Sequence, residues 1–182
     1  VTINSASTSD NNINIESGQM TSLVVAGSQG ITVTITDATT LKTIDGSGIQ
    51  DAAGTGLTVD GNPSVAAAGG VTITGTDYGL DNLLGGAGGD TISGGGVADS
   101  LSGAGGADTL NGGGGNDLII GGGGIDTLNG GAGNDNFIVV TTGDFTSLAS
   151  PETIIGGDGT DTLIFGGTST LAAASHAVAS VG

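Results

Sequence analysis

The chain has no cysteine, no tryptophan, and almost no basic or aromatic side chains. The absence of cysteine excludes a disulfide scaffold, and three phenylalanines with one tyrosine in 182 residues leave little material for a conventional large core. Lys42 is the only lysine or arginine beside 18 acidic residues, which gives a formal net charge of −17. Nucleic acid and anionic membranes are poor partners for such a chain, because phosphate binding requires basic side chains. Cations are its natural ligands.

Signals for membrane insertion and for catalysis are also missing. No apolar run is long enough to span a membrane. The first residues show neither an initiator methionine nor a basic-then-apolar signal, so we expect an internal or processed fragment. Neither a His-Glu-x-x-His motif nor a phosphate-binding loop occurs, and the only histidine, His176, lies in a tail of small residues. The sequence therefore predicts that this chain is not an enzyme.

The middle of the chain repeats with a period of nine residues. The pattern G-G-x-G-x-D-x-U-x, in which U is large and apolar, is complete in GGAGGDTIS, GGGGNDLII, GGGGIDTLN and GGAGNDNFI. Three further units are degenerate, because Thr76 with Asp77, Val97 or Ala104 stands where the pattern has glycine. A last complete unit, GGDGTDTLI, begins at Gly156 after an interruption of 17 residues. The aspartates spaced by nine are Asp81, Asp90, Asp99, Asp108, Asp117, Asp126 and Asp135.

These units resemble the nonapeptide repeats of the RTX (repeats-in-toxin) family, strongly over residues 76–138 and well over 156–165. The resemblance implies an all-β fold, a parallel β-roll or β-solenoid that binds several Ca²⁺ ions. It also implies that each ion is shared by one turn and the second turn after it, which would pair Asp81 with Asp99 and Asp90 with Asp108. Asp161 has no such partner in the nine-residue register, and sites that use the turns with Asp77 and Val97 are weakened.

One unit provides a three-residue strand with its middle side chain pointing inward, followed by a six-residue turn. Two units make one coil, so aspartates 18 residues apart stack in columns at roughly 4.8 Å. Such stacked carboxylates repel each other by roughly 3 kcal/mol per pair, and a hard cation held by carboxylate and carbonyl oxygens converts this repulsion into attraction. The predicted metal-site residues are Asp81, Asp90, Asp99, Asp108, Asp117, Asp126, Asp135 and Asp161, with Gly85, Gly88, Gly112, Gly115, Gly121, Gly124, Gly130 and Gly133.

The regions on either side of the repeats divide the chain into three parts. Residues 1–75 form an irregular Thr- and Val-rich all-β lead-in, and its variable strand spacing leaves a solenoid and a sandwich equally open. Residues 76–138 form the β-roll. Residues 139–182 contain an insertion, which we expect to cap the roll, then the isolated last repeat and a C-terminal tail.

The two outer faces of the roll differ in polarity. One carries threonine, serine and asparagine, at positions such as Thr91, Thr109 and Thr127. The other carries four large apolar residues among its polar ones: Leu84, Leu118, Ile120 and Ile138. We expect this face to pack against the lead-in region or against another copy of the chain, because contiguous exposed apolar patches mark interfaces.

Two functions agree with these features. The first is a calcium-folded structural protein of an extracellular bacterial surface assembly, such as an S-layer or matrix, that forms a homo-oligomer, lattice or filament. The second is the calcium-binding, secretion-associated tail of an RTX exoenzyme or adhesin. The family resemblance implies type I secretion and an extracellular or cell-surface location for both, with folding delayed until Ca²⁺ is met.

Overall fold

The structure is a computed structural model that describes residues 1–5, 11–15, 20–36, 40–50, 55–61, 69–140 and 152–166. The described residues contain strands and turns and no helix. Most of the insertion expected to cap the roll and the tail with His176 lie outside them.

All the described strands lie in two sheets of eight parallel strands, through which the chain alternates. The first sheet contains β1 (Thr2–Ser5), β3 (Ser22–Gly27), β5 (Thr43–Ile49), β7 (Thr72–Thr74), β9 (Thr91–Gly95), β11 (Thr109–Gly114), β13 (Thr127–Ala132) and β15 (Thr153–Asp158). The second contains β2 (Asn11–Ile15), β4 (Ile31–Ile35), β6 (Thr55–Gly61), β8 (Leu80–Gly86), β10 (Ser100–Gly105), β12 (Leu118–Gly123), β14 (Asn136–Val140) and β16 (Thr162–Gly166). This alternation confirms the predicted parallel β-solenoid.

The register within the repeats is the one that the nonapeptide period predicts. Thr91 pairs with Thr109, and Thr109 pairs with Thr127, so equivalent residues 18 apart stack from coil to coil. The large apolar residue of each unit points inward, and these residues form one stack on each sheet. Their side chains are no more than 1 % exposed: Leu83, Ile92, Leu101, Leu110, Ile119, Leu128 and Phe137.

The lead-in strands belong to the same two sheets as the repeats. β7 pairs with both β5 and β9, and β6 pairs with both β4 and β8. Thr58 of β6 pairs with Asn82 of β8, so the preceding residue, Leu57, stacks on Asp81. In the pairing of β4 with β6, Ile31 stacks on Leu57. Both aliphatic residues are buried. The position that holds aspartate in the repeats therefore holds an aliphatic core residue in this part of the lead-in.

The turns of the repeat region need backbone conformations that L-residues with a side chain rarely adopt. The second glycine of the unit has a positive φ, for example 108° at Gly113 and 109° at Gly122. Ala104 occupies this position in its degenerate unit and is the one non-glycine residue of the described chain with a positive φ, at 75°. Its Cβ makes the left-handed region costly by about 1–2 kcal/mol.

We expect Ala104→Gly to stabilise the calcium-loaded protein by about 0.5–1 kcal/mol, because relief of the left-handed strain exceeds the entropy that glycine adds to the unfolded chain. Denaturant unfolding in saturating Ca²⁺ measures the change. Ala107→Gly, in the same turn but without a positive φ, is the control and should destabilise the protein slightly. A lower unfolding midpoint for Ala104→Gly than for the parent would contradict the strain.

Candidate metal centre

The aspartates of the repeats form two columns inside the solenoid, one preceding the strands of each sheet. The first column contains Asp81, Asp99, Asp117, Asp135 and Asp161. The second column contains Asp90, Asp108, Asp126 and Glu152. Except for Asp161, which is half-buried, every one of these side chains is at most 5 % exposed. They include all the buried carboxylates of the described residues.

A single repeated hydrogen bond links the members of each column. One carboxylate oxygen accepts the backbone N–H of the acidic residue in the preceding coil, as when Oδ1 of Asp117 accepts the N–H of Asp99 at 2.8 Å. The distances along both columns run from 2.6 to 2.9 Å. At these positions a carboxylate oxygen, instead of a backbone carbonyl, accepts the N–H of the preceding coil. The columns therefore contribute hydrogen bonds that hold the coils together, as well as negative charge.

The second carboxylate oxygen of most of these aspartates is buried and has no hydrogen-bond partner. This is the Oδ2 atom of Asp90, Asp99, Asp108, Asp117, Asp135 and Asp161. A buried ionised oxygen without a donor or a countercharge costs several kcal/mol. The repetition of this arrangement through successive coils indicates that a cation belongs beside these oxygens.

The first glycine of each unit makes room for the free oxygen. A Cβ placed on Gly112 would clash with Oδ2 of Asp117 and would lie 2.7 Å from the carbonyl oxygen of Gly130 in the next coil. Gly85, Gly121 and Gly130 contact the Oδ2 atoms of Asp90, Asp126 and Asp135 in the same way. Carboxylate and carbonyl oxygens therefore converge on a space that any side chain would fill.

The third glycine of each unit lies in the neighbouring part of the turn. A Cβ on Gly133 would clash with the carbonyl oxygen of Gly115, and a Cβ on Gly124 with that of Gly106. A Cβ on Gly106 would likewise clash with the carbonyl oxygen of Gly88. The predicted glycines thus divide into those that line the carboxylate space and those that allow the turns of successive coils to stack.

Burial raises the pKa values of the column aspartates above the ordinary value of 3.8. The pKa of Asp99 rises to about 7, mainly through desolvation and further through the charges of Asp81 and Asp117. Desolvation brings the pKa values of Asp81, Asp108 and Asp117 to about 6. It also raises the pKa values of Asp90, Asp126 and Asp135. Near neutral pH the metal-free solenoid therefore holds carboxylates that burial disfavours as ions.

At the N-terminal end of the first column, both carboxylate oxygens of Asp81 accept hydrogen bonds from backbone N–H groups. Oδ1 of Asp81 accepts the N–H of Leu57, and Oδ2 accepts the N–H of Thr76 at 2.6 Å. Thr76 is one of the residues that replace glycine in its degenerate unit, and its hydroxyl also contacts Asp81 at 3.4 Å. Thr76, which breaks the glycine pattern and so weakens the predicted metal site, thus donates hydrogen bonds to Asp81.

The N-terminal end of the second column has a positive charge instead. The register places Val71 and then Lys42 at the positions that precede Asp90 in the column. The Lys42 Nζ donates to the carbonyl oxygen of Gly70 at 3.4 Å, and its charge lowers the pKa of Asp90 against the effect of burial. The only basic side chain of the protein thus stands in line with the aspartates.

The expectation that Asp161 lacks a stacking partner is wrong. β14 pairs with β16, and Oδ1 of Asp161 accepts the N–H of Asp135 at 2.9 Å. Asp161 follows Asp135 by 26 residues instead of 18, yet β14 and β16 pair in the same register as the preceding coils.

Glu152 is a column residue that the repeat pattern missed. It stands nine residues before Asp161, and the segment after it, TIIGG, has the strand and glycine pair of a repeat. Spacing counted backwards from Asp161 would have found it. The pattern missed it because it requires aspartate at that position.

The column geometry is compatible with Ca²⁺, which takes six to eight oxygen ligands from carboxylates, carbonyls and water. Within the described residues no group of three or more His, Cys, Asp or Glu side chains is arranged to hold a metal ion. A cation in the columns would therefore draw on carboxylates together with backbone carbonyls such as those of Gly121 and Gly130. This donor set suits a hard cation and does not suit Zn²⁺, which prefers nitrogen and sulfur.

The fold and its columns define a parallel β-solenoid with an interior arranged for cations. The family model of the RTX calcium-binding nonapeptide repeat matches residues 75–110, 84–119, 111–138 and 152–168. The chain therefore carries RTX nonapeptide repeats, and such repeats bind Ca²⁺. No curated protein and no solved structure is significantly similar to the chain. Among the described residues, no helix is long and apolar enough to cross a membrane.

We expect acid to substitute partly for calcium. Because the folded pKa values of Asp99 and Asp108 lie above 3.8, the metal-free folded state binds more protons than the unfolded chain between roughly pH 4 and 7. Its stability is therefore full below about pH 4 and is lost as the pH rises through about 6 to 7.

Far-ultraviolet circular dichroism in chelator measures this effect. The strand signal should be weak at about pH 7 and should increase as the pH is lowered to about 4.5. In saturating Ca²⁺ the dependence should reverse, because protons compete with the metal for the carboxylates. A chelator-treated protein whose strand signal is the same at both pH values would contradict the raised pKa values.

Proposed function

We propose that this calcium-binding protein is a non-enzymatic structural component of an extracellular bacterial surface assembly, such as an S-layer or matrix. Ca²⁺ would drive both its folding and its association. The observation that carries the proposal is an apolar row on one outer face of a solenoid whose interior is arranged for calcium. RTX β-rolls are usually structural and RTX proteins are typically secreted, which agrees with this role.

The proposed calcium sites lie between successive coils of the two columns. The free Oδ2 atoms and the carbonyl oxygens of the first glycines would supply protein ligands, and the bound ions would supply the positive charge that the buried carboxylates lack. Each aspartate is held in place by the hydrogen bond to its Oδ1, and its Oδ2 would be the ligand of the cation. This arrangement couples folding to calcium, because the ligands of one site come together only when two coils have stacked.

The apolar row runs along the outer face of the second sheet near its C-terminal end. Ile120 pairs with Ile138, and Ile138 pairs with Ile164, so the three isoleucines stand side by side on adjacent strands. Leu118 lies on the same face of β12, two residues before Ile120. Ile164 is 42 % exposed, and the other three side chains are half-buried. Covering this row gains about 25 cal/mol for each Å² of apolar surface removed from water.

The other outer face has a different character. Thr72, Thr91, Thr109 and Thr127 stand in one continuous row on the first sheet. Beside them the Asn129 side-chain amide donates to Oδ1 of Asn111 at 2.9 Å. This face is polar along these coils, and its one large exposed apolar side chain among the described residues is Ile155, which pairs with Asn129 and is 37 % exposed. The contrast between the two faces favours association through the row that contains Ile120 and Ile138.

Calcium would control association through the shape and the charge of the protein. The isoleucines of the row come from three different coils, so the row exists only when those coils are stacked. Bound Ca²⁺ also reduces the net charge of −17, which otherwise keeps copies of the chain apart.

We expect the double variant Leu118→Ser and Ile120→Ser to keep calcium-dependent folding and to associate several-fold more weakly. Sedimentation velocity and light scattering in Ca²⁺ measure association, and circular dichroism measures folding. The matched control is Thr109→Ser with Thr127→Ser on the opposite face, which should associate like the parent. If the double variant assembles as readily as the parent, the apolar row is not the interface. A parent that stays monomeric at high concentration in saturating Ca²⁺ would favour the secretion-associated tail of a larger exoenzyme or adhesin.

A further inference from the structure

Two asparagines of the first sheet are each followed by a glycine. They are Asn111 of β11 and Asn129 of β13, and no other asparagine of the sequence precedes glycine. Their half-buried side chains stack on the outer face of the sheet, where the Asn129 amide donates to Oδ1 of Asn111 at 2.9 Å. An asparagine reacts most readily with its own backbone when glycine follows it, because glycine has no Cβ to hinder the approach.

The reaction is deamidation through a cyclic imide. The backbone nitrogen of the glycine attacks the side-chain carbonyl carbon of the asparagine, and a C–N bond forms. The side-chain nitrogen leaves as ammonia, with the proton that the backbone nitrogen gives up. Water then opens the succinimide ring at either of its carbonyls. One opening gives aspartate, and the other gives isoaspartate, in which the main chain runs through the side-chain carboxyl carbon.

The folded strands keep the reacting atoms apart. Asn111 pairs with Asn129 in a parallel ladder that continues at Gly113 and Gly131. In an extended strand the side chain stands roughly perpendicular to the sheet, whereas the next backbone nitrogen lies along the strand. The hydrogen bond between the two asparagines also fixes their side chains. The imide therefore forms only when the coil opens and the glycine regains its backbone freedom.

We propose that Asn111 and Asn129 are sites of spontaneous deamidation in the calcium-free chain, and that calcium-driven folding protects both. The inference rests on the calcium-dependent folding of the proposed function. Each asparagine precedes the first glycine of a repeat unit, whose missing side chain leaves room for Oδ2 of Asp117 or Asp135. The strands that protect the asparagines are thus the strands that these buried carboxylates destabilise until a cation is bound.

Isoaspartate at either position prevents the coil from forming again. It adds the Cβ atom of the residue to the main chain, so Gly112 no longer lies against Oδ2 of Asp117 while Gly113 pairs with Gly131. Aspartate leaves the main chain unchanged, and at position 111 it keeps the oxygen that accepts the Asn129 amide. A chain that stays without calcium therefore loses its ability to fold through isoaspartate.

Peptide mapping by mass spectrometry tests the sites in the full chain. The protein is incubated at mildly alkaline pH in Ca²⁺, in chelator or in urea, and circular dichroism records the strand content in each. We expect both asparagines to convert roughly tenfold faster or more in chelator and in urea than in Ca²⁺, since only opened coils react. Asn116 and Asn134, which precede aspartate, are internal controls and should convert much more slowly than the other two in chelator.

Refolding after incubation tests the consequence. Ca²⁺ added after long incubation in chelator should restore less strand signal to the parent than to the double variant Asn111→Gln and Asn129→Gln, because glutamine keeps the amide but forms its cyclic imide far more slowly. Before incubation the two proteins should respond equally to Ca²⁺. Fresh Asn111→Asp should also fold in Ca²⁺, which separates the effect of isoaspartate from that of the added charge.

The outcomes distinguish this inference from the proposed function. Conversion in Ca²⁺ as fast as in urea overturns the protection by the strands. Asparagines that stay intact in chelator, in protein that circular dichroism shows to be unfolded, overturn the sites. A protein that stays folded and unmodified in chelator but converts in urea supports the protection and contradicts the calcium-dependent folding of the proposed function.

Discussion

Each coil of the repeat region depends on the hydrogen bond that an acidic side chain accepts from the backbone of the coil before it. This bond uses one carboxylate oxygen and holds the other against the carbonyl oxygens of a glycine turn, as at Asp117 and Gly112. At most coils the fold therefore buries a carboxylate oxygen that has no hydrogen-bond donor beside backbone carbonyl oxygens. Glycine at the first position of the unit and the raised pKa values of the aspartates follow from this constraint, and it is the reason for the calcium sites that we propose between the coils.

The lead-in and the repeat region stack their coils in the same two sheets but have different residues in the interior. In the lead-in, Ile31 and Leu57 occupy the column position, and the coils are stabilised by apolar burial. From Asp81 onward the same position holds buried carboxylates, and under the proposed function the stability of these coils depends on bound cations. The hydrogen bond that the Leu57 N–H donates to Asp81 links the last aliphatic coil of the lead-in to the first coil of the carboxylate column. The aliphatic coils can thus provide a stacked edge on which the calcium-dependent coils assemble.

Much of this architecture could be predicted from the sequence, because the spacing of nine fixes both the coil and the columns. Asp99 and Asp117 stack as the period requires, and Leu110 points inward as its place in the unit requires. The lead-in could not be resolved between a solenoid and a sandwich, since its coils differ in length and lack the aspartate marker. Asp161 was misjudged because the additional residues between Val140 and Glu152 change the spacing in the sequence, whereas β14 and β16 keep the register of the other coils.

The central claim is that calcium compensates for negative charge buried in the columns, and removal of that charge tests it most directly. In Asp99→Asn with Asp117→Asn, each amide keeps the oxygen that accepts the backbone N–H, and its NH₂ group can donate to the glycine carbonyls that face Oδ2. Circular dichroism in chelator at about pH 7 should show more strand in this variant than in the parent, with a smaller response to added Ca²⁺. A variant that is no more folded than the parent in chelator, and that needs the same Ca²⁺ concentration to fold, would contradict the claim.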